Sequence, residues 1–449
     1  MNTPRIMLAA FASGSGKTTV TCALLQALVN KNLKSAAFKC GPDYIDPMFH
    51  SQIIGVPCCN LDVFMLGEDI VLSLLVKNSN QADIAVLEGV MGYYDGLYGV
   101  STYASSYHVA DITKTPVVLV VNGGGTFLSL AALIKGFAAF KTDSHIKAVI
   151  LNNISSKSYN MYKTIIEEVS GLPVLGYLPK LPQAIFDSRH LGLVTAAEVK
   201  DLKEKMNILA QNAQEYIDID AFLKIAAQAA PIETTYIAAA KVAEVTIAIA
   251  CDKAFSFYYA DGLDVLKEMG AVLVPFSPLA DKKLPLCNGL ILGGGYPELY
   301  AKILQDNISL RQDILQKYLD GLPIYAECGG FMYLLDSLKQ KDGAVFNMCG
   351  VIKGQSFMTD SLKRMGYATV TCQQDNILCC KNMAVKAHEF HCSDSTNNGN
   401  VFMAQKNNGQ SWPCIHANGQ IFAGYPHFHF SGAPILAQNF IKACAAINK

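Results

Sequence analysis

The chain has 449 residues, 51% hydrophobic and 16% charged, which allows a large core and roughly two or three ordinary domains. Its 36 basic and 37 acidic side chains leave a formal net charge of -1, so no basic field draws nucleic acid or an anionic membrane. Fourteen scattered cysteines include the pairs Cys58-Cys59 and Cys379-Cys380 but no C-x-x-C, which excludes zinc-site spacing and predicts reduced thiols in an anaerobic or cytosolic setting.

The first predicted element is a buried strand, Arg5–Ala10. Its apolar run through Ala12 has the outline of a short signal core, but a phosphate-binding loop follows at once and favours the strand. That loop, Gly14-Ser15-Gly16-Lys17-Thr18-Thr19, opens a helix. Strand, loop and helix in this order let the loop amides and the helix N-terminus cradle phosphates. Lys17 would neutralise the β and γ phosphates of ATP, and Thr18 would give its hydroxyl to Mg2+. The pattern G-x-x-x-x-G-K-[ST] fails at one place, where Phe11 stands for Gly. Ala12 stands where Min/Par-type partitioning ATPases carry a second lysine, which argues against that class.

Ser35–Lys39, Ile84–Glu88, Val117–Val121, Ala148–Asn152 and Val174–Tyr177 read as further buried strands. They are rich in Val, Ile and Leu without alternation and lie between helix-length segments. This predicts a doubly wound α/β domain with a parallel sheet over residues 1–230. Pro116–Ile134 is uncharged and nearly long enough to span a bilayer, but Asn122-Gly123-Gly124-Gly125 interrupts it, so sheet core is expected. Two dense loops follow strands. Lys39-Cys40-Gly41-Pro42-Asp43-Tyr44-Ile45-Asp46-Pro47 brings a lysine, two acids and an aromatic to a strand's C-terminal edge, where ligands bind. Glu88 ends a strand and opens the glycine-rich run to Asp95-Gly96, which makes it a magnesium candidate.

Ala226 to Val242 is Ala-rich, with Pro231 and Thr234-Thr235, and a linker is placed at 231–242. A second α/β domain is predicted over 243–449, with strands at Val245–Ala250, Ala271–Pro275, Gly289–Leu292 and Pro323–Glu327. Cys328 follows the last of these at a sharp turn, and Gly329-Gly330-Phe331-Met332-Tyr333-Leu334 starts a helix. A helix N-terminus and a nearby imidazole favour a nucleophilic thiolate there. Gly329 lets a backbone N–H face an oxyanion, and Gly293-Gly294-Gly295 after another strand is the candidate for the second donor. The base is His427 or His429, which fall on one side if Gly424–Phe430 is extended. A cysteine site that frees ammonia from glutamine, joined to a nucleotide site that activates an acid, makes an amide.

These residues resemble the cobyrinic acid a,c-diamide synthase family. The family's strings are matched at Lys39–Pro47, Asn60-Leu61-Asp62, Glu88–Gly96, Ser188-Arg189-His190-Leu191-Gly192-Leu193, Phe255–Tyr259, Ser277-Pro278-Leu279, Gly293–Glu298, Ala326–Gly330, His388-Glu389-Phe390-His391 and Tyr425–Phe430. They run in order over nearly the whole length. The resemblance implies a dethiobiotin-synthetase-like N-terminal domain and a C-terminal class I glutamine amidotransferase domain. It implies a Cys328–His427 dyad without the usual third acid, since His429 stands where many class I glutaminases have Glu. Asp43, Asp46, Glu88 and Asp95 are candidates for metal binding, acyl-phosphate support and ammonium deprotonation. Lys39, Tyr44 and Asp62 are candidates for lining the substrate. His190, His388 and His391 are read equally well as substrate contacts or as structural.

The expected reaction is ATP- and glutamine-dependent amidation of two carboxylates of cobyrinic acid in cobalamin biosynthesis. Ammonia would pass between the sites enclosed, because free ammonium is mostly protonated at neutral pH. Hydrogenobyrinic acid and nickel-sirohydrochlorin are alternative macrocycles. A non-catalytic nucleotide switch and an ammonia-dependent ligase with a vestigial glutaminase are alternatives of other classes. A cytoplasmic location is expected, neither nucleic acid nor membrane is an expected partner, and a homodimer is compatible with the sequence.

Overall fold

Seven short strands order the first part of the chain: β1 (Arg5–Ala10), β2 (Ser35–Cys40), β3 (Cys58–Leu61), β4 (Ile84–Glu88), β5 (Val117–Asn122), β6 (Ile146–Asn152) and β7 (Val174–Leu178). The computed structural model describes residues 1–184 and 202–447, so the string Ser188–Leu193, with His190, lies outside the described residues. The strands pair in parallel in the order β3-β2-β4-β1-β5-β6-β7. Every residue of β1, β3, β4 and β7 is buried, as a sheet with both faces covered requires. β3 is the strand that periodicity missed, because Cys58-Cys59-Asn60-Leu61 is too short to show one. From β1 the chain goes to β2 on one side and later to β5 on the other. The C-terminal ends of β1 and β4 therefore meet the crevice where strand order reverses.

Arg5, at the start of β1, is fully buried. It donates to the Thr113 carbonyl from Nε at 3.0 Å and Nη2 at 2.7 Å, and to the Ala230 carbonyl from Nη2. The segment that leaves the sheet is thus tied to its first strand. Two compact units divide the chain, Met1–Ile237 and Ala238–Lys449.

The second unit contains β8 (Val245–Ala250), β9 (Ala271–Phe276), β10 (Gly289–Leu292), β11 (Ile324–Glu327), β12 (Leu335–Lys339), β13 (Val345–Asn347), β14 (Ile352–Cys372), β15 (Ala384–Ser395), β16 (Phe402–Gln405), β17 (Ser411–Cys414), β18 (His416–Ala417) and β19 (Ile421–Gly424). One sheet has the order β18-β19-β11-β10-β8-β9 and is parallel except at β18. The other, β13-β12-β14-β16-β17 with β15 beside β14, is mostly antiparallel and was not anticipated. Its inward positions on β15 run Val385, Ala387, Glu389, His391, Ser393, Ser395. Polar residues on the buried face hide the two-residue hydrophobic period. Register shifts between Met358, Lys363 and Gly366 break it again on β14. All fourteen cysteines are free thiols. Among the described residues, no helix is long and apolar enough to cross a membrane.

Candidate active sites

β1 ends at Ala10, and the helix Lys17–Asn30 begins after the loop. Gly16 has φ +91, and a Cβ there would collide with the Asn152 amide, which itself donates to the Ser15 carbonyl at 3.1 Å. Only glycine fits both constraints. Phe11 is not among the residues of positive φ, so its side chain costs the loop nothing there. Its ring packs on Phe137 at 4.5 Å between centroids. Lys17 is buried, with Nζ donating to the carbonyls of Met91 at 2.6 Å and Ala12 at 3.2 Å. Burial and the Lys39 charge pull Lys17 down to about 8 against the attraction of Glu88, Asp46 and Asp95.

Lys39 on β2 is the register partner of Glu88 on β4, so both side chains leave the sheet together. Lys39 Nζ lies 2.9 Å from Glu88 Oε1 and 2.5 Å from Asp46 Oδ2. The Thr18 hydroxyl donates to Glu88 Oε1 at 2.7 Å and lies 3.3 Å from Asp46 Oδ2. Burial would raise Glu88, but Lys39, His50 and Thr18 hold it well below the usual carboxylate range. Burial and the Glu88 charge push Asp46 well above that range, against the pull of Lys39. Among the described residues, no three His, Cys, Asp or Glu side chains are grouped to hold a metal alone. A hydroxyl and two carboxylates are hard oxygen donors of the number Mg2+ uses when nucleotide phosphates and waters supply the rest. The Lys39 ammonium stands between the two carboxylates as a stand-in cation.

Other sequence candidates are engaged with their own loops and helix starts. Asp43 accepts from the backbone of Ile45 at 2.7 Å and Asp46 at 3.4 Å, starting the short helix Ile45–Met48, which follows the half-buried Tyr44. Asp62, a candidate for lining the substrate, is buried and caps Val63–Leu66 by accepting from Met65 N at 2.9 Å. A short carboxylate before a helix satisfies its free amides, and that use competes with ligand binding. Asp95 closes its own turn on Gly92 N at 3.1 Å. Thr19 is half-buried in the first turn of its helix. Sequence reasoning missed His50. It is fully buried, with Nε2 2.9 Å from Glu88 Oε2 and Nδ1 3.8 Å from Cys22 Sγ. It sits in a π-helical turn, Phe49–Ile54, which leaves no periodic signal in sequence.

In the second unit, β11 delivers Cys328 into a backbone conformation of φ 45, ψ -104. Cys328 N donates to the Gly424 carbonyl of β19 at 2.8 Å, and the Cys328 carbonyl accepts from Met332 N at 2.9 Å. A non-glycine held at such angles is strained and persists because both neighbours fix it. A Cβ on Gly330 would strike the Leu292 carbonyl, and one on Gly295 the Ala254 carbonyl. A Cβ on Gly329 would lie 3.0 Å from the Gly295 amide nitrogen, and one on Gly294 2.7 Å from His427 Cε1. Two glycine turns and the histidine thus converge beside the thiol. Among the described residues, the backbone amides of Gly295 and Gly329 donate to no other backbone group.

His427 is buried and hydrogen-bonds Cys328. Its backbone exchanges both hydrogen bonds with His388 on β15, at 3.1 and 2.9 Å. Its Nδ1 lies 3.0 Å from Glu327 Oε2. The usual acid two places after the histidine is absent, since His429 stands there, and the carboxylate that faces His427 comes from the residue before the nucleophile. Burial pulls His427 down, but the Cys328 and Glu327 charges and hydrogen bonds carry it up to about 10. His429 does not share its side. Its ring stacks on Tyr259 at 4.6 Å, and its Nδ1 accepts from Ser431 N at 3.2 Å. Burial pulls it down to about 3. His391 stacks on Tyr425 at 4.0 Å and lies 3.0 Å from Glu389 Oε2, whose other oxygen accepts from the Trp412 indole at 3.0 Å.

Residues 6–191 match the CobQ/CobB/MinD/ParA nucleotide binding domain, and residues 246–435 match the CobB/CobQ-like glutamine amidotransferase domain. The chain is similar to a cobyrinate a,c-diamide synthase of Listeria innocua, 41% identical over 97% of this chain and 98% of that one. A Streptococcus sanguinis cobyrinate a,c-diamide synthase is 40% identical over 97% and 98%, and one of Listeria monocytogenes is 40% identical over 95% and 96%. Likeness of this extent spans both units and both sites, and the chain belongs to the cobyrinate a,c-diamide synthase family.

Proposed function

We propose that this protein is a glutamine-dependent ligase that amidates the a and c carboxylates of cobyrinic acid in cobalamin biosynthesis. The observation that carries the reading is the presence, on one chain, of the Thr18–Glu88–Lys39 cluster beside a phosphate loop and of Cys328 against His427. In the second unit the Cys328 sulfur attacks the glutamine amide carbon, and the oxyanion faces the amides of Gly329 and of Gly294 or Gly295. His427 gives its proton to the departing nitrogen, ammonia leaves, and water then releases glutamate from the thioester. In the first unit the substrate carboxylate takes the γ-phosphoryl group of ATP and ADP leaves. Gly14, Ser15, Gly16 and Thr19 hold the phosphates through the loop and helix start, and Lys17 exchanges its carbonyl partners for them. Thr18, Glu88 and Asp46 would hold Mg2+, which offsets phosphate charge. Lys39, displaced from these carboxylates, neutralises the acyl phosphate, and ammonia replaces phosphate at the carbonyl carbon. Asp43, Tyr44 and Asp95, on the loops around this crevice, support substrate placement. The cytoplasm is the proposed compartment, in keeping with the free thiols.

The test is a mass-resolved assay with glutamine and Mg·ATP, offering cobyrinic acid, hydrogenobyrinic acid and nickel-sirohydrochlorin separately. Two successive acid-to-amide conversions on cobyrinic acid are expected. Conversion of another macrocycle alone would reassign the substrate. Conversion of none, with glutaminase and ATPase intact, would overturn the substrate assignment.

A further inference from the structure

A carboxylate at the end of a buried strand is stable only if its oxygens are matched by donors. Glu327 is 6% exposed, and donors meet both its oxygens. The Tyr325 hydroxyl and the Phe428 backbone N–H, at 3.0 Å, both donate to Oε1. Oε2 faces His427 Nδ1 at 3.0 Å. The first two contacts fix the carboxylate, and the third lets the carboxylate fix a ring. The backbone of His427 is held separately by His388, so only the ring remains to be oriented. Since a carboxylate accepts, Nδ1 carries a hydrogen and Nε2 is left for the thiol.

We propose that Glu327 is the positioning acid of the glutaminase, filling from the residue before the nucleophile the role that many class I glutaminases give to a residue two places after the histidine. Glu327 takes no proton. It keeps Nδ1–H in place while Nε2 receives the Cys328 proton and passes it to the departing ammonia. His429 is unfit for that place, being stacked on Tyr259 and hydrogen-bonded to Ser431. Tyr325 and Phe428 brace Glu327 as surrounding groups usually brace a ligand-orienting carboxylate. The titratable groups around the pair are Cys328, Tyr325, Tyr258 and His388.

The inference rests on the glutaminase reading, so the full chain is assayed for glutamine hydrolysis and, separately, for amidation driven by ammonium. Glu327→Gln is expected to lower kcat for hydrolysis by about 10²-fold or more, towards the roughly 10⁴-fold loss when a triad acid is neutralised, with KM for glutamine little changed. Glu327→Asp keeps the charge and should fall between Glu327→Gln and wild type. Ammonium-driven amidation should persist in both variants. Iodoacetamide labelling of Cys328 against pH adds a readout that a brace alone would not move: the alkaline edge set by the His427 imidazolium shifts down in Glu327→Gln. Hydrolysis within about 3-fold of wild type in Glu327→Gln would overturn the proposal. So would an unmoved labelling edge, or loss of both activities in both variants, since each makes Glu327 a structural brace. A wild-type chain that never hydrolyses glutamine overturns the glutaminase reading itself.

Discussion

The two sites prepare for chemistry in opposite ways. In the nucleotide site, two buried lysines hold the charge: Lys17 rests on two backbone carbonyls and Lys39 on two carboxylates. On the proposed reading, each contact is exchanged for a phosphate or a metal before reaction. In the glutaminase site, backbone holds the geometry. Cys328 is strained between β11 and β19, His427 is bridged to β15, and glycines admit close approach. A highly charged substrate brings the means to reorganise its site, whereas neutral glutamine must find donors already aligned.

The largest effects should separate the two. Cys328→Ser should abolish glutamine hydrolysis, a loss of about 10³-fold or more, while ammonium-driven amidation continues. Lys17→Ala should do the reverse, cutting amidation from either nitrogen source by about 10²–10³-fold and sparing hydrolysis. Parallel kinetics with glutamine and with ammonium check both. Loss of hydrolysis in Lys17→Ala would mean that the sites do not act separately.

Gly294→Ala probes the preformed geometry. The new methyl would stand 2.7 Å from His427 Cε1, on a ring held by Glu327 and a backbone bridged to β15. The ring cannot yield without leaving the thiol. Hydrolysis should fall about 10²-fold, as for an ångström-scale misplacement, with ammonium-driven amidation unchanged. Hydrolysis at the wild-type rate would show that the ring has room to move.

His50→Gln probes the site built from charge. Removing an outer partner of a metal-binding carboxylate typically costs about 10–100-fold in metal affinity. The Mg2+ needed for half-maximal ammonium-driven amidation should therefore rise by about 10-fold or more. An unchanged Mg2+ requirement would assign His50 to packing alone.

Most of the parallel architecture, the phosphate loop and the turn that bears Cys328 were legible in sequence, because each depends on local order: apolar run, glycine turn, helix. What escaped depends on chain segments that meet only in the fold. His50 is joined to Glu88 by an irregular turn, and Glu327 to His427 by the pairing of β11 with β19. Glu327 left a faint signal as a charged residue closing an apolar strand. The antiparallel sheet left less, since Glu389, His391 and Ser393 occupy its buried face. The cap at Asp62 escaped for the same reason, because a capping carboxylate and a ligand-binding one look alike until the helix is seen.

The smallest effect contrasts the units through acid stability. His388 is drawn down to about 3 by burial and the nearby His427 and His391, and His429 to about 3 by burial. An unfolded chain protonates such rings near pH 6.5. Between those values the unfolded state binds more protons, so stability falls as pH falls, by up to about 1.4 kcal/mol per pH unit for each ring. His427 runs the other way: raised to about 10, it contributes fully below pH 6.5 and loses that contribution as pH climbs through 10. The glutaminase unit is thus squeezed from both sides. The sole tryptophan, Trp412, is buried in that unit, so its fluorescence reports the unfolding of that unit. Urea midpoints at pH 7.5, 5.5 and 4.5 should fall with acidification, and His429→Gln should flatten the fall by roughly one ring's share. Parallel curves for variant and wild type would mean that His429 is protonated in the folded chain, and that its stacked, buried ring gives the unit no acid sensitivity.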